Sequence, residues 1–442
     1  MAYRKHMNVF GDLLWRGMVY DSTPGCQAML ANEKVTCYNG FDPSAPSLHM
    51  GNLIPIMGLV RMQHHGHFPI AIAGGGTGMI GDPSGRAEER QLLTLERIAE
   101  NVEGIRGQLA RFLDFKVRRN PARLINNADW LTRLGLVEFL RDTGKHFTVN
   151  YMLGKESVSA RLARDSGISY TEFSYMLLQS YDYLELYRTH GCRLQMGGSD
   201  QWGNILAGVD LIKRVEPRLS ESGSVTGYSR GEPHGLVYPL LTSASGDKFG
   251  KSQGQNIWLD RGLTSAYRCY QYWLNVDDRD VVRLLKWFTL LGREEIEGLE
   301  TSTKAEPAKR EAQKRLAREV TLAVHGQDGL DEALRVTAAF FDGQLSVLGA
   351  GSIEDVLAAA PSGEVQRASL QGGMPFDRFA VAAGLVPSLA EARRLVDQGG
   401  AYLNDTRVGN ARAAVTVEHL IDGRVIVLRR GTKTYRLVRV TE

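Results

Sequence analysis

Residues 38–52, YNGFDPSAPSLHMGN, collect the residue types that nucleotide phosphates require: turn formers that bring backbone close to an anion, then a histidine and an asparagine heading an apolar run. The preceding EKVTCY reads as a short buried strand, and Gly40, Pro43 and Pro46 break regular structure after it. Leu53 to Val60 reads as the buried face of a helix with Ser47 as its expected cap. His49 and Asn52 then fall on the first turn, where unpaired N–H groups and the helix dipole favour an anion. Far downstream, SASGDKFGKSQG places Lys248 and Lys251 in a Gly- and Ser-rich loop, two cations suited to a polyphosphate. Blander roles fit both stretches as well: a proline-rich strand-to-helix connection and a solvated loop.

Two further stretches carry polar groups in suggestive patterns. FPIAIAGGGTGMIGDPSG reads as a buried strand, Phe68 to Ala73, followed by five glycines between Gly74 and Gly81, more than a simple turn requires. No GxGxxG leads into a helix there, so a dinucleotide site is disfavoured. TEFSYMLLQSYDYLELY reads as a helix with Thr171 as its cap. Its Tyr175, Gln179 and Asp182 recur at i, i+4 and i+7, so they project from one face. A solvated face carries Lys, Glu and Arg, whereas this one carries uncharged donors and one carboxylate, as a pocket wall would. Asn126, Asn127 and Trp130 follow the short strand RLI, at a strand end, where open α/β sheets hold their ligands.

HMGN at 49–52 and KFGKS at 248–252 resemble, in that order, the HIGH-type and KMSKS-type signatures of class I aminoacyl-tRNA synthetases. GFDPSAPSLHMGN, GDPSG, EFSYMLLQSYDYLEL and LQMGGSDQWGN are similar to the tyrosyl branch of that family, and the likeness runs from near the N-terminus to the last strand. The resemblance implies activation of L-tyrosine by ATP with Mg²⁺, without zinc, then transfer of tyrosine to the 3′ end of tRNA(Tyr). His49, Lys248, Lys251, Arg86 and Arg90 are its implied catalytic groups, acting on the departing pyrophosphate. Tyr38, Asp82, Tyr175, Gln179, Asp182, Gln195 and Gln201 are implied to bind tyrosine, Asp82 at the α-ammonium and Tyr38 with Asp182 at the phenol. Gly40, Asp42, Ser44, His49, Asn52, Gly198, Asp200, Lys248 and Lys251 are implied to bind ATP, Asp200 through a ribose hydroxyl. Thr242, Ser243 and Ala244 stand where the branch usually carries a further basic residue. A catalytically silent RNA-binding relative and the tryptophanyl sister enzyme are the alternative readings.

These groups need a scaffold. At 442 residues and 43% hydrophobic content the chain is too long for one ordinary core. The expected class is α/β: a Rossmann-like parallel-sheet catalytic domain over 1–262, with a dimer-interface insertion and the KFGKS loop, then an α-helical anticodon-side domain over 263–342. A linker over 343–373, where composition shifts to Gly, Ser, Ala and Pro, would lead to a small α+β RNA-binding domain over 374–442. Residues 374–442 carry 11 Lys/Arg against 7 Asp/Glu, the rest 42 against 43, so the basic excess is C-terminal. That segment resembles a small ribosomal-protein RNA-binding domain, with a hairpin around Arg430, Gly431 and Thr432; Arg393, Arg394, Arg407, Arg429 and Arg430 are the implied phosphate contacts. The family places residues like VEFLRDTGKHFTVNYML at a homodimer interface, although a monomer's core helix is equally compatible. Cys26, Cys37, Cys192 and Cys269 are scattered without a CxxC pair, which disfavours zinc and disulfides and fits a cytoplasmic protein. No apolar stretch approaches a bilayer's thickness, so no membrane partner is expected.

Overall fold

A computed structural model describes residues 7–84, 93–163, 167–242, 244, 251–252, 255–342, 344–358, 360–431 and 434–442. Six strands, β1 (Asp21–Ser22), β2 (Thr36–Phe41), β3 (Phe68–Ala73), β4 (Arg123–Asn126), β5 (Cys192–Gly198) and β6 (His234–Tyr238), form one sheet. Their order is β1-β6-β5-β2-β3-β4, with β1 antiparallel at the edge and the rest parallel. FPIAIA is buried at five of its six positions, as a continuous apolar strand of a covered parallel sheet should be. The chain steps from β2 through β3 to β4 on one side, then returns to lay β5 and β6 on the other. Strand order therefore reverses between β2 and β5, and a crevice opens at their carboxyl ends.

The Leu53–His64 helix buries Leu53, Ile56, Leu59 and Met62. It closes tightly on the sheet at Gly58, where an added Cβ would overlap the Tyr238 hydroxyl. Ser47 does not cap this helix, contrary to expectation. Its hydroxyl donates to Leu48 O at 2.7 Å and accepts from Asp260 N at 3.1 Å and Gln108 Nε2 at 3.0 Å. His49 caps instead, over a short Met50–Asn52 turn: its Nδ1 accepts from Gly51 N at 3.0 Å, and Asn52 Oδ1 accepts from His49 N at 3.0 Å. The polar helix runs Tyr170–His190, and its cap is Ser169, not Thr171, because Ser169 is extended and its hydroxyl accepts from Glu172 N at 3.3 Å. Tyr183, Leu186 and Tyr187 of that helix join Ile70, Ile72, Val209 and Ile212 in one apolar cluster.

By packing, the chain divides into two units, Met1–Leu263 with Leu274–Val324, and Thr264–Trp273 with His325–Glu442. The helical stretch 263–342 is thus shared between them. Within the first unit, Arg16 and the fully buried Arg61 donate to the carbonyls of Lys286, Trp287, Thr289 and Leu291, which end the Asp278–Phe288 helix. The Glu311–Phe341 helix breaks at Gly326, whose φ of 74° is outside the helical region.

The second unit holds a five-stranded sheet of β7 (Ser362–Gln366), β8 (Ala401–Leu403), β9 (Thr406–Arg407), β10 (Val425–Arg430) and β11 (Thr434–Thr441), in the order β7-β11-β10-β8-β9. The described residues of the expected 343–373 linker, 344–358 and 360–373, are therefore structured. β7 pairs in parallel with β11, and Val365 and Leu370 enter the core with Phe376, Phe379, Ile426 and Leu428. The small-residue composition there serves caps and turns, as at Gly349, which heads the Ala350–Val356 helix. All four cysteines are buried and unbridged. No helix among the described residues is long and apolar enough to cross a membrane.

Candidate active site

At the β2/β5 reversal the two strand ends, the glycine loop after β3, and the Tyr170–His190 helix enclose a cleft of about 530 Å³. It draws together Tyr38, Gly40, Asp42, Asn52, Asp82, Tyr175, Gln179, Asp182, Gln195, Gly198, Asp200 and Gln201, all anticipated from sequence. Ser44 and His49 do not line it: Ser44 is exposed in a turn, and His49 is turned into its own cap, which leaves the neutral ring's proton on Nε2. Arg86, Arg90 and Lys248 lie outside the described residues, and Lys251 is described through its backbone alone. A larger hollow of about 1000 Å³, between residues 106–125 and His190, is more open and gathers no comparable convergence of buried polar groups.

Asp182 defines one end of the cleft. Its Oδ1 accepts from Trp130 Nε1 at 2.7 Å and its Oδ2 from Asn127 Nδ2 at 2.7 Å. Burial pushes its carboxyl up to about 7, with Asp42 and Glu185 adding to the rise and the two N–H donors opposing it. Beside it the Tyr38 hydroxyl is buried and without a hydrogen-bond partner among the described residues, its ring tilted on Tyr183 at 5.5 Å. Burial, then the neighbouring Asp182, holds that phenol well above its ordinary range, so it is a neutral donor. Gln195 Oε1 is likewise buried without a partner among the described residues.

The remaining polar groups form a connected net. Tyr175 OH approaches Asp42 Oδ2 at 3.3 Å, and Thr77 Oγ1 donates to Asp42 Oδ1 at 3.2 Å. Asn127 accepts from Gly76 N at 2.8 Å and donates to Thr77 Oγ1 at 3.0 Å, which ties the glycine loop to the Asp182 end. Asp82 accepts from Ser84 N at 2.9 Å and from Gln201 Nε2 at 2.8 Å. Gln179 donates to Gln201 Oε1 at 3.3 Å and accepts from Asn204 at 3.0 Å. Burial raises the carboxyl of Asp200, with Asp82 adding and Gln201 opposing. A Cβ at 74 or 75 would displace the Asp42 carboxylate or the Asn126 amide, so glycine there keeps both groups in place.

Sequence reasoning noticed Asn127 and Trp130 but gave them no role, and it missed Thr77 and Asn204. The one local signal for Asn204 is an amide in the apolar first half of WGNILAGVDLI, ahead of Asp210.

In the second unit the five expected phosphate contacts separate. Arg393 Nε donates to the fully buried Asp377 at 2.8 Å, and Arg430 pairs with Glu391 at 3.1 Å. Arg429 lies 3.7 Å over the Tyr402 ring and donates to Gly431 O at 2.7 Å. Arg394 and Arg407 are exposed, as are Arg393 and Arg430 beside their acidic partners.

Residues 30–342 match the family model of tRNA synthetases class I (W and Y), and residues 353–438 match that of the Tyrosine--tRNA ligase SYY-like C-terminal domain. Tyrosine--tRNA ligase of Roseiflexus castenholzii is 49% identical over 433 residues, 98% of this chain and 99% of that one. Tyrosine--tRNA ligase of Bacillus caldotenax is 48% identical over 435 residues, 98% of this chain and 100% of that one. Among solved structures, a C-terminally truncated Aspergillus nidulans mitochondrial tyrosyl-tRNA synthetase superposes with a TM-score of 0.66 at 31% identity, covering 75% of this chain and 94% of that chain. Likeness at this level over the whole chain, joined to a cleft at the strand reversal, makes this chain a member of the tyrosine--tRNA ligase family of class I tRNA synthetases.

Proposed function

We propose that the cleft holds L-tyrosine with its phenol between Tyr38 and Asp182, its α-ammonium at Asp82, and ATP across the Gly40–Asn52 turn toward Gly198 and Asp200. The observation that carries this reading is the pair at the Asp182 end: a buried hydroxyl without a hydrogen-bond partner among the described residues, beside a buried carboxyl group. Buried polar groups of this kind need a partner, and a phenolic hydroxyl can donate to Asp182 while accepting from Tyr38. Tyrosine is activated with ATP and then transferred to tRNA. The tyrosine carboxylate is already ionised, so no general base is required. Its oxygen bonds to the α-phosphorus as the bridge to the β-phosphate breaks, and pyrophosphate leaves. A terminal ribose hydroxyl of tRNA then attacks the acyl carbon and AMP leaves.

Lys248 and Lys251, with Arg86, Arg90 and the His49 imidazole, are proposed to meet the charge that grows on pyrophosphate. Among the described residues no group of three His, Cys, Asp or Glu side chains is spaced to hold a metal ion. Mg²⁺ fits here as the ion that ATP would carry on its phosphates, where it would neutralise part of their charge. Arg394 and Arg407, exposed on the C-terminal unit and outside the ion pairs that engage Arg393 and Arg430, are the better-placed of the five arginines for tRNA phosphates. The exposed Leu136, Val137, Leu140, Val149 and Leu153 are proposed as a homodimer face, which sedimentation at micromolar concentration tests. A cytoplasmic location follows the same reading.

Tyrosine-dependent ATP–pyrophosphate exchange tests the site. Lys248→Ala and Lys251→Ala should each lose about 2–4 kcal/mol of transition-state stabilisation with tyrosine affinity nearly unchanged. An equal fall in tyrosine affinity would move the phosphate site elsewhere.

A further inference from the structure

The segment that carries Lys248 and Lys251 is held by described residues on both of its flanks. On the far side, Ile257 O accepts from Met50 N at 2.9 Å and Leu259 N donates to Leu48 O at 2.8 Å, so residues 257–259 run against the HMGN stretch. On the near side the chain leaves the cleft wall at Leu240, Leu241 and Thr242. There the partners come from the Asp278–Phe288 helix. Asp280 Oδ2 accepts from Ala244 N at 2.8 Å, Asp280 Oδ1 accepts from Arg283 Nη2 at 2.6 Å, and the same Arg283 nitrogen donates to Thr242 O at 2.5 Å.

An acidic residue in the first turn of a helix ordinarily serves that helix's own dipole from the surface. Asp280 is different: it is 4% exposed, and both of its oxygens are engaged, one by a backbone amide 36 positions earlier. The cap of this helix is supplied separately, by Asp277, whose carboxylate accepts from Arg279 N at 2.8 Å. Arg283 is itself set in place by the Trp287 ring, 5.3 Å from its guanidinium carbon. The far end of the helix is fastened by Arg16 and Arg61, and Arg61 belongs to the helix that follows HMGN.

We infer that Asp280, oriented by Arg283, is a positioning residue for adenylate formation: the pair fixes the backbone at Thr242 and Ala244, from which the lysine-bearing segment starts. Small displacements of a phosphate-binding cation carry large rate penalties, so the anchor at which its segment begins bears on the rate. This inference rests on the proposed phosphate role of Lys248.

The test uses the full chain in tyrosine-dependent ATP–pyrophosphate exchange, with kcat and the KM for ATP measured beside tyrosine affinity by fluorescence and Tm. Asp280→Ala should cut kcat/KM for ATP roughly 10- to 100-fold while tyrosine affinity stays within about twofold. Asp280→Asn keeps an acceptor for Ala244 N and should recover part of the loss. Asp277→Ala removes the helix cap without touching residues 242–244; it should lower Tm and leave the KM for ATP unchanged. Wild-type ATP kinetics in Asp280→Ala, or the same kinetic loss in Asp277→Ala, would overturn the inference. A Lys248→Ala arm separates the two levels: unchanged exchange there removes the phosphate reading and the inference with it, whereas loss in Lys248→Ala without loss in Asp280→Ala removes the inference alone.

Discussion

Acidifying the medium from pH 8 to pH 6 should weaken tyrosine binding about tenfold, because burial in the cleft holds the Asp182 carboxyl at about 7. Burial raises it, and the N–H groups of Asn127 and Trp130 only partly compensate. A phenol donating into the pocket favours the carboxylate, so binding must expel a proton wherever the free protein holds one. The affinity penalty is one plus ten to the power of the pKa minus pH, which is near unity at pH 8 and about eleven at pH 6. Tyrosine binding measured alone, by intrinsic fluorescence or calorimetry in buffers of different ionisation heat, reads this without ATP groups intervening. Phenylalanine has no hydroxyl to reward the carboxylate, so its affinity should not fall with acid and the preference for tyrosine should narrow about tenfold. Asp182→Asn should flatten the tyrosine profile. The same shift has a signed consequence for stability. Asp182 is protonated more readily folded than unfolded, so its favourable contribution is full below about pH 4 and is lost as pH rises through about 7, a swing of about 4 kcal/mol. Tyrosine should accordingly raise Tm more at pH 8 than at pH 6. A tyrosine affinity that is level from pH 6 to pH 8 in the wild type would refute the placement of the phenol at Asp182.

Removing one donor to Asp182, by Asn127→Ala or Trp130→Phe, should move the midpoint of that titration up by about 1–2 pH units, since a hydrogen bond to a charged group is worth about 1.5–3 kcal/mol; an unmoved midpoint means the donors do not act on the carboxyl. Gly58→Ala places a methyl against the Tyr238 hydroxyl and should destabilise the protein by about 1–3 kcal/mol in denaturant titration, with no change beyond error showing that the helix can retreat freely. A chain stopped after Val324 keeps every cleft residue and should retain pyrophosphate exchange while losing tRNA charging, and the charging of the full chain should weaken steeply with salt. Equal charging by both forms would exclude a role for the C-terminal unit. A chain stopped at Gly372 should instead aggregate or melt at lower temperature, because β7, Val365 and Leu370 lose β10 and β11.

What the sequence determined by itself is what local periodicity and residue type encode. Apolar runs marked β2 and β3, the i, i+4, i+7 spacing put Tyr175, Gln179 and Asp182 on one wall, and glycine density marked the loop that turns beneath Asp42 and Asn126. The likeness to a family, carried by HMGN and KFGKS in order, added an activity that no periodicity encodes. Tertiary structure alone decided what each polar group meets. Asp182 meets Asn127 and Trp130 from the end of another strand, and its ionisation depends on a burial that no stretch of chain displays. β7 was invisible because its parallel partner lies some seventy residues later, so the segment showed only the small residues of its caps and turns. The arginines read alike in sequence, yet Arg393 and Arg430 pair with Asp377 and Glu391 and Arg429 packs on Tyr402, partners that the chain order does not display. Spacing along a helix or strand is a property of the chain; hydrogen-bond partners, buried charge and an unpaired hydroxyl come into being only when the sheet brings distant ends together.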